Sequence, residues 1–338
     1  MKTLLYSAYN RLEIAEAPDP QPGEGELLLR VSACGICGSE LEAFRNRSPR
    51  RVPPLVLGHE FCGEVVDTGR GVSNFKTGQR VVSHALIGCG ECVRCRRGEV
   101  NLCANRHVFG MQRLGAFAEL VTAPEKSVVA WPDHLPAEAA SLTEVLSNGV
   151  HVVGLSKRLN PRKVVILGAG PIGLMTLQAF QAMTDAEIMV TEILPERLKT
   201  ATKLGANLAI NPHQDDLQSA VLDWTDGEGA DVVVDAVGLS DTKLQSLPAT
   251  RPGGATVWIG THENTITMDS YDITLSERCV QGSYGATMEE LQFSVDLLAS
   301  GKVDGTSWIK AFPLSEGVAA FERMLAAEGD DIKAVLCP

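Results

Sequence analysis

Short apolar runs separated by turn-forming residues characterise the first 150 residues of the chain. Apolar and β-branched residues concentrate at 26–31, 63–66, 79–82, 117–121 and 127–130, with glycine and proline between the runs. Short strands with this punctuation predict a compact, barrel-like β domain. A helical pattern begins only near Pro136.

A second pattern, in which strands alternate with helices, begins near residue 160. Buried strands are predicted at 163–167, 187–192, 231–235 and 255–260, and a helix is predicted over 195–204. This alternation predicts a parallel, doubly wound sheet. A helix at 289–300 and a strand-like segment at 332–336 follow, and together they are too short to form a third domain.

The stretch 164–184 contains no charged residue and is long enough for a membrane-spanning helix. Gly168, Gly170, Pro171 and Gly173 cluster inside it, so a strand, a glycine turn and a buried helix explain the stretch better. The first residues also lack the sustained apolar segment of a signal peptide. We therefore expect neither membrane insertion nor export, and we predict a cytoplasmic protein.

Composition and net charge argue against some classes of binding partner. The 338 residues are 44% hydrophobic and 21% charged, as in an average globular protein, and this length favours two domains. The formal net charge is −12, and the sequence has no polybasic block. Such a surface repels phosphate backbones and anionic lipids, so neither nucleic acid nor a membrane is an expected partner.

A glycine-rich turn, residues 168–173, follows the first buried strand of the second pattern and opens a helix, whose free N–H groups suit a pyrophosphate. Glu192 stands 19 residues after this turn, where a carboxylate accepts from a ribose 2′-hydroxyl. Because a carboxylate repels a 2′-phosphate, Glu192 favours NAD over NADP, a preference that Arg197 weakens. The residues expected to bind the dinucleotide are Gly168, Gly170, Pro171, Ile172, Gly173, Glu192, Arg197 and Ile259.

Four of the nine cysteines, Cys89, Cys92, Cys95 and Cys103, have the spacing C-x2-C-x2-C-x7-C. With no export expected, this spacing indicates a metal site rather than disulfides. Four thiolates form a closed tetrahedral zinc site, which is structural because it leaves no position for a substrate. An iron–sulfur cluster shares the spacing of the first three cysteines, but it needs a nearer fourth cysteine and usually a proline after it.

We call residues 89–103, which carry these four cysteines, the cysteine lobe. Two further motifs lie outside it: Cys34-Gly35-Ile36-Cys37-Gly38-Ser39 and Gly58-His59-Glu60. Taken alone, the first motif is compatible with a redox pair, and the histidine with a core residue. Together with the cysteine lobe and the glycine turn, the motifs resemble the zinc-dependent branch of the medium-chain dehydrogenase/reductase superfamily, which includes alcohol and polyol dehydrogenases. The resemblance covers nearly the whole chain.

The resemblance implies an α/β fold with two domains. A GroES-like, β-rich catalytic domain would comprise residues 1–150 and be completed by 289–338, and a Rossmann domain with a doubly wound parallel sheet would occupy 151–288. The cleft between them would hold the nicotinamide and a catalytic zinc ion. The resemblance also implies a homodimer or homotetramer with two zinc ions per chain.

The resemblance assigns site residues as well. Cys37 and His59 would bind the catalytic zinc, with Glu60 beside the metal as an occasional ligand. The segment 143–151 is similar to the Glu-Pro-Leu-Ser segment of the sorbitol dehydrogenase branch, which makes Glu144 the third ligand. Ser39 would hydrogen-bond the substrate hydroxyl and accept its proton. The expected reaction transfers hydride from a secondary alcohol, polyol, sugar or amino alcohol to NAD.

Three positions depart from the family pattern. Glu42 stands where the family often has a histidine that passes the proton to solvent, and Val145 replaces the usual proline after Glu144. Tyr284-Gly285 stands where polyol dehydrogenases often carry an arginine. The outer proton path and the substrate therefore stay open.

Two other functions are compatible with the glycine turn: a zinc-free reductase of carbon–carbon double bonds on the same fold, and a dinucleotide-binding protein without catalytic activity. The presence of Cys37, His59 and Glu144 argues against both, because neither function needs metal ligands.

Overall fold

The computed structural model describes residues 1–327 and 330–338. The strands are β1 (Lys2–Ala8), β2 (Arg11–Glu16), β3 (Glu26–Gly35), β4 (Leu55–Val56), β5 (Glu60–Thr68), β6 (Arg80–Ser83), β7 (Leu86–Ile87), β8 (His107–Val108), β9 (Leu120–Pro124), β10 (Val128–Ala130), β11 (Lys163–Leu167), β12 (Glu187–Thr191), β13 (Leu208–Ile210), β14 (Ala230–Asp235), β15 (Thr250–Trp258), β16 (Cys279–Gly282), β17 (Ile309–Pro313) and β18 (Lys333–Cys337). The helices are α1 (Gly38–Arg45), α2 (Val93–Arg96), α3 (Ala137–Ser141), α4 (Thr143–Ser156), α5 (Pro171–Met183), α6 (Pro195–Lys203), α7 (Leu217–Trp224), α8 (Ser240–Ala249), α9 (Tyr271–Thr274), α10 (Met288–Ala299) and α11 (Gly317–Ala326). Short 3-10 helices lie at Val100–Leu102, Glu125–Ser127, Lys157–Leu159 and Leu314–Glu316.

The chain divides into two compact units. The first comprises residues 1–147 and 285–338, and the second comprises residues 148–284. The uncharged stretch 164–184 forms β11, the glycine turn and α5, as predicted. Among the described residues, no helix combines the length and apolar character that a membrane crossing requires.

The first unit is built on a seven-stranded mixed sheet. Its strand order is β10-β6-β5-β3-β18-β17, and β9 also pairs with β3. The C-terminal strand β18 lies antiparallel to β3, with Val335 opposite Gly35 and Leu336 opposite Cys34. The last residues of the chain therefore complete the sheet that its first residues begin. Apolar side chains pack beneath the sheet, and the Phe61 and Phe109 rings meet edge to face at 5.0 Å.

The second unit contains six parallel strands in the order β13-β12-β11-β14-β15-β16. This is the 3-2-1-4-5-6 order of doubly wound dinucleotide-binding sheets. The order reverses between β11 and β14, where Leu167 pairs with Asp235. The carboxyl ends of these two strands therefore flank the crevice where such sheets bind ligands. The predicted α/β fold class is confirmed.

The strand predicted at 117–121 begins three residues later than expected. Residues 117–121 were expected to be extended, whereas β9 begins at Leu120. Phe117 accepts from the Leu4 N–H at 2.8 Å, and Ala118 forms an isolated bridge with Thr3. Phe117 and Ala118 therefore contact β1, and the chain pairs with β3 only from Leu120 onward. The apolar run 117–121 thus lies against two different strands in succession.

Candidate metal and dinucleotide sites

The four cysteines of the lobe lie together as predicted, with all four sulfur atoms within 4.8 Å of one another. The Cys89 and Cys95 sulfurs are 3.9 Å apart, and those of Cys92 and Cys103 are 3.8 Å apart. Zinc–sulfur bonds of about 2.3 Å at tetrahedral angles would place sulfurs about 3.8 Å apart. The lobe thus already has the dimensions of a tetrathiolate zinc site.

Backbone N–H groups prepare these thiols for a metal. Cys92 N–H donates to the Cys89 sulfur, and Cys95 N–H donates to the Cys92 sulfur, each at 3.4 Å. The N–H groups of Cys92 and Glu91 lower the pKa of Cys89 to about 6, whereas burial raises the pKa of Cys95 to about 11. Cys89 is therefore a thiolate at neutral pH, which is the form that binds zinc.

A second donor group comprises Cys37, His59 and Glu60, whose ligand atoms also lie within 4.8 Å of one another. Cys37 caps the start of α1, two positions after the end of β3, and Glu60 opens β5, with His59 just before it. A sulfur, an imidazole nitrogen and a carboxylate oxygen are the donors that zinc accepts. The two motifs, 22 positions apart from Cys37 to His59, thus meet because β3 and β5 are paired, with Gly35 opposite Glu60.

Glu40, a residue that the sequence did not single out, fixes His59. The Nδ1 atom of His59 lies 2.9 Å from Glu40 Oε1, which also accepts from Gly58 N–H at 2.7 Å. Glu40 Oε2 accepts from Cys37 N–H at 3.1 Å, and the side chain is fully buried. A proton on His59 Nδ1 leaves Nε2 available as a ligand. The sequence does contain one sign of this role: Glu40 is an acidic residue three positions after Cys37, where a side chain can cap the start of a helix.

Neighbouring charged groups shift the pKa values of His59 and Glu40. Burial lowers the pKa of His59, but Glu40 and Cys37 more than offset it and hold that pKa well above its ordinary value. Burial alone would raise the pKa of Glu40, but the nearby His59 and Arg51 lower this pKa by more, so that it lies below its ordinary value. Two buried carboxylates, Glu40 and Glu60, therefore lie beside His59, and the donor set of sulfur, imidazole nitrogen and carboxylate oxygen fits zinc.

Glu60 has a second buried partner. Lys333, on β18, forms an ion pair with Glu60 Oε2 and donates to the Ile36 carbonyl at 2.9 Å. The two side chains are 1% and 2% exposed. Burial lowers the pKa of Lys333, but Glu60 and Cys37 raise it above its ordinary value overall. The sequence analysis did not anticipate this lysine.

Ser39 lies beside Cys37, as expected of a residue near the reacting oxygen. Its hydroxyl donates to the Cys37 sulfur at 3.4 Å. Arg51, which is 4% exposed, donates through Nη1 to the Ser39 carbonyl at 2.9 Å and through Nη2 to Ser39 Oγ at 3.2 Å. The sequence analysis also missed this arginine, which contacts both the backbone and the hydroxyl of Ser39. Glu42 lies on the same helix and accepts from the Asn46 side chain.

Glu144, the predicted third ligand, lies in the first turn of α4 and is 8% exposed. Its carbonyl accepts from the Ser147 hydroxyl at 2.7 Å. Of the four predicted ligands of the catalytic metal, the donor group found in the described residues unites Cys37, His59 and Glu60 and does not include Glu144. The role of Glu144 stays a prediction.

The glycine turn has the geometry that the sequence predicts. Gly168 adopts a φ of +97°, and a Cβ at Gly173 would collide with the Gly168 carbonyl. Gly170 caps α5, whose first residue is Pro171, followed by Ile172. These glycines therefore allow the chain to pass from the end of β11 to the start of α5 within three residues.

Glu192 and Arg197 lie next to this turn. Glu192 Oε2 accepts from Ala169 N–H at 3.0 Å, and Oε1 accepts from Ile193 N–H at 2.8 Å. A Cβ on Gly170 would lie 4.0 Å from Arg197 Nη1. Glu192 thus ties the turn to the end of β12, in addition to its predicted role at the ribose. Ile259 follows β15, and its N–H donates to the Asp235 carbonyl at 3.1 Å.

Comparisons with known proteins identify the family of the chain. Residues 23–133 match the model of the alcohol dehydrogenase GroES-like domain, and residues 171–300 match that of the zinc-binding dehydrogenases. L-threonine 3-dehydrogenase of Pyrococcus horikoshii is 35% identical over 86% of this chain and 85% of its own length. D-arabitol-phosphate dehydrogenase of Enterococcus avium is 34% identical over 97% of this chain and 94% of its own length.

A solved structure extends the similarity to the whole fold. A zinc-binding dehydrogenase from Sinorhizobium meliloti bound to NADP superimposes with a TM-score of 0.92 at 30% identity, over 100% of this chain and 99% of that one. These findings confirm the predicted family, the β-rich GroES-like and Rossmann domain types, and the assignment as an enzyme. The chain belongs to the zinc-dependent medium-chain dehydrogenase/reductase superfamily and is a dehydrogenase that uses zinc and a nicotinamide dinucleotide.

Proposed function

We propose that the chain oxidises a secondary hydroxyl group of a polyol, sugar or amino alcohol and transfers the hydride to NAD. The observation that carries this proposal is the Cys37–His59–Glu60 donor group beside the accessible Ser39. The relatives named for threonine and for arabitol phosphate support the substrate class, since both names denote molecules with a secondary hydroxyl group.

The proposed catalytic ligands are Cys37, His59 and one carboxylate. Glu144 is the carboxylate proposed from the family pattern, and Glu60 is the alternative. Three protein ligands leave a position for substrate, whereas the four cysteines of the lobe close theirs. When bound, zinc polarises the alcohol oxygen as a Lewis acid, and NAD accepts the hydride.

Ser39 is the residue proposed to bind the substrate hydroxyl and receive its proton at Oγ. Arg51 Nη2 donates to that same oxygen. Because a guanidinium has no acceptor atom and keeps its protons, it orients the Ser39 hydroxyl and cannot carry a proton onward. A proton at Ser39 must therefore leave by a route that does not include Arg51. Glu42, at the position where the family often has a proton-relaying histidine, offers a carboxyl group in place of an imidazole.

In the second unit, the proposed dinucleotide site uses the glycine turn for the pyrophosphate and Glu192 for the adenosine ribose. The positive end of α5 and its free N–H groups would face the phosphates. Both Glu192 oxygens already accept backbone N–H groups, which hold the carboxylate at the end of β12. This fixed negative charge supports NAD as the preferred dinucleotide over NADP.

We further propose a homodimer or homotetramer that works in the cytoplasm. None of the nine cysteines forms a disulfide, which supports a reducing compartment. The oligomeric state follows from the family resemblance alone, and light scattering after size-exclusion chromatography would measure it.

Metal analysis combined with a substrate panel tests the proposal. The purified protein should contain two zinc ions per chain and reduce NAD with at least one secondary alcohol, polyol, sugar or amino alcohol. Cys37→Ser should retain one zinc and lose activity. Cys95→Ser should lose the lobe zinc and melt at a lower temperature, because metal binding there contributes folding energy. Cys279→Ser, outside both donor groups, is the matched control and should keep both ions.

A wild-type protein with one zinc ion and full activity would exclude the catalytic site. A protein with two zinc ions and no turnover across the panel, with either NAD or NADP, would contradict the proposed substrate class.

A further inference from the structure

Arg51 is a buried cation beside the serine proposed to bind the substrate hydroxyl. The residue is 4% exposed, and its Nη1 and Nη2 atoms donate to the carbonyl and the hydroxyl of Ser39 at 2.9 and 3.2 Å. The Nε atom is also buried, and no atom of residues 1–327 or 330–338 accepts a hydrogen bond from it. One N–H group of this guanidinium therefore has no protein partner.

The positive charge of Arg51 also lacks a direct counter-ion. Within the part of the chain that the structure describes, no carboxylate forms an ion pair with it. Glu40 is buried nearby, but its two oxygens already serve Gly58 N–H, His59 and Cys37 N–H. Because a buried charge is costly unless it is paired and hydrogen-bonded, an anionic group from a ligand would satisfy both the charge and the free N–H.

The shape of the guanidinium group indicates which anion fits. Ser39 takes the end formed by Nη1 and Nη2, which leaves the side edge formed by Nε–H and the second N–H of Nη2. The two parallel N–H groups of such an edge match two oxygens of a carboxylate or a phosphate. Hydrogen bonds of about 2.8 Å would place that anion within about 5–7 Å of an oxygen bound to Ser39 Oγ. A few covalent bonds of one small molecule span this distance.

The chain around Arg51 is positively charged. Residues 45–51 contain Arg45, Arg47, Arg50 and Arg51 and no acidic residue, in a chain whose net charge is −12. The first three arginines are exposed, where salt screens their charges, and Arg51 is buried against Ser39. Of these four arginines, Arg51 is therefore the one placed to distinguish one bound substrate from another.

We propose that the substrate carries an anionic group, a carboxylate or a phosphate, a few bonds from the reacting hydroxyl, and that the side edge of Arg51 binds this group. Arg51 is then a specificity-determining residue in addition to its contact with the Ser39 hydroxyl. This inference rests on the proposed function, in which Ser39 binds the reacting hydroxyl.

The test compares two pairs of alcohols that differ in charge: 3-hydroxybutyrate with its methyl ester, and glycerol 3-phosphate with glycerol. Both members of each pair carry a secondary hydroxyl group. The zinc-loaded enzyme is assayed with NAD, and kcat/KM for the anion is divided by kcat/KM for its neutral partner. This ratio should exceed one in at least one pair for the wild type, which identifies the anion, and should fall by about tenfold or more in Arg51→Met.

The ratio separates substrate recognition from support of Ser39. A loss of support alone would lower kcat for both members of a pair and leave their ratio unchanged. Arg51→Lys keeps the positive charge without the paired N–H groups and should give an intermediate ratio, a result that can be obtained even if Arg51→Met does not fold. Arg50→Met removes the exposed neighbouring charge and should keep the wild-type ratio within about twofold.

Anion binding gives a second readout that needs no turnover. The enzyme is first saturated with NADH, so that the glycine turn is occupied, and is then titrated calorimetrically with acetate or inorganic phosphate. The anion identified by the substrate pairs should bind Arg51→Met more weakly than the wild type by about tenfold or more.

Three results would overturn the inference: a wild type with no preference for the anion in either pair, a ratio that is the same in Arg51→Met and the wild type, or equal anion affinity in both proteins. Failure of the proposed function looks different. The wild type would then reduce NAD with none of the four alcohols or the wider panel, while Arg51-dependent binding of acetate or phosphate would persist.

Discussion

His59 Nδ1 and Glu40 Oε1 lie 2.9 Å apart inside the first unit, and neither side chain is appreciably accessible to solvent. The contact fixes which histidine nitrogen carries a proton, and it also joins α1 to the start of β5 through Gly58 N–H. A single carboxylate thus sets the orientation of one proposed metal ligand and supports the backbone of another, Cys37.

Glu40→Gln should weaken metal binding at Cys37 and His59 by about 10-fold to 100-fold, because the partner of a ligating histidine sets its tautomer and basicity. Chelator titration with a zinc-sensitive dye would measure this loss, and the lobe zinc should be retained. Glu42→Gln, on the same helix, is the control. Equal zinc affinity in Glu40→Gln and the wild type would limit Glu40 to a role in capping α1.

Glu144→Ala tests the proposed third ligand. If Glu144 binds the catalytic zinc, the variant should contain one zinc ion, and kcat should fall at least about 100-fold, because metal polarisation supplies several kcal/mol of transition-state stabilisation. NAD affinity should change little. Glu138→Ala, in the first turn of the preceding helix, is the matched control. Two bound zinc ions with near-normal turnover would move the third ligand elsewhere, and Glu60 would be tested next.

Glu192→Ala should weaken NAD binding and reduce the discrimination against NADP, because the ribose acceptor and its negative charge are both removed. The loss of its bond to Ala169 N–H should also loosen the glycine turn. Fluorescence titration with NADH and NADPH would measure both affinities, with Glu196→Ala on α6 as control. A wild-type enzyme that strongly prefers NADP would contradict the role given to Glu192.

His84 should make the protein sensitive to mild acid. Burial lowers its pKa to about 4, although the Ala286 and Leu86 carbonyls oppose this shift. The neutral ring accepts from Leu86 N–H at 2.9 Å, and its Nε2 lies 2.9 Å from the Ala286 carbonyl. Because the unfolded chain binds the proton first, the free energy of unfolding should fall as the pH drops from about 6.5 to 4, by up to about 3 kcal/mol.

Urea denaturation of the wild type and His84→Gln at pH 7 and pH 4.5 would measure this loss. The difference in stability between the two proteins should shrink on acidification, since the variant carries no group that titrates at this position. His134→Gln replaces an exposed histidine and should follow the wild-type pH dependence. If His84→Gln loses as much stability as the wild type, another group is responsible.

The parts of the site that the sequence predicted well are local. The cysteine lobe lies within residues 89–103, and the glycine turn lies between a strand and the helix that follows it directly, so backbone geometry over a few residues determines both. The pairing of Cys37 with His59 was anticipated only through the family resemblance, because it depends on the register of β3 with β5.

Lys333 and Arg51 could not be predicted in the same way. Lys333 contacts a residue 273 positions away, and its strand is buried on both faces, so the usual alternation of apolar and polar residues gives no sign of an inward lysine. Arg51 lies in a segment rich in arginine, where a solvent-exposed position is the ordinary expectation. Only the strand register and the path of the loop decide that both cations are buried beside the donor group.

The position of β18 also governs the order in which this protein can mature. β3 and β5 are synthesised early, but β18 leaves the ribosome only after the whole second unit has been made. Since domains generally fold as units during synthesis, residues 148–284 can reach their native state while the sheet of the first unit still lacks two strands. Until then the Glu60 carboxylate lacks its buried lysine partner, so the Cys37–His59–Glu60 group of a nascent chain has one positive charge fewer beside it than in the finished enzyme.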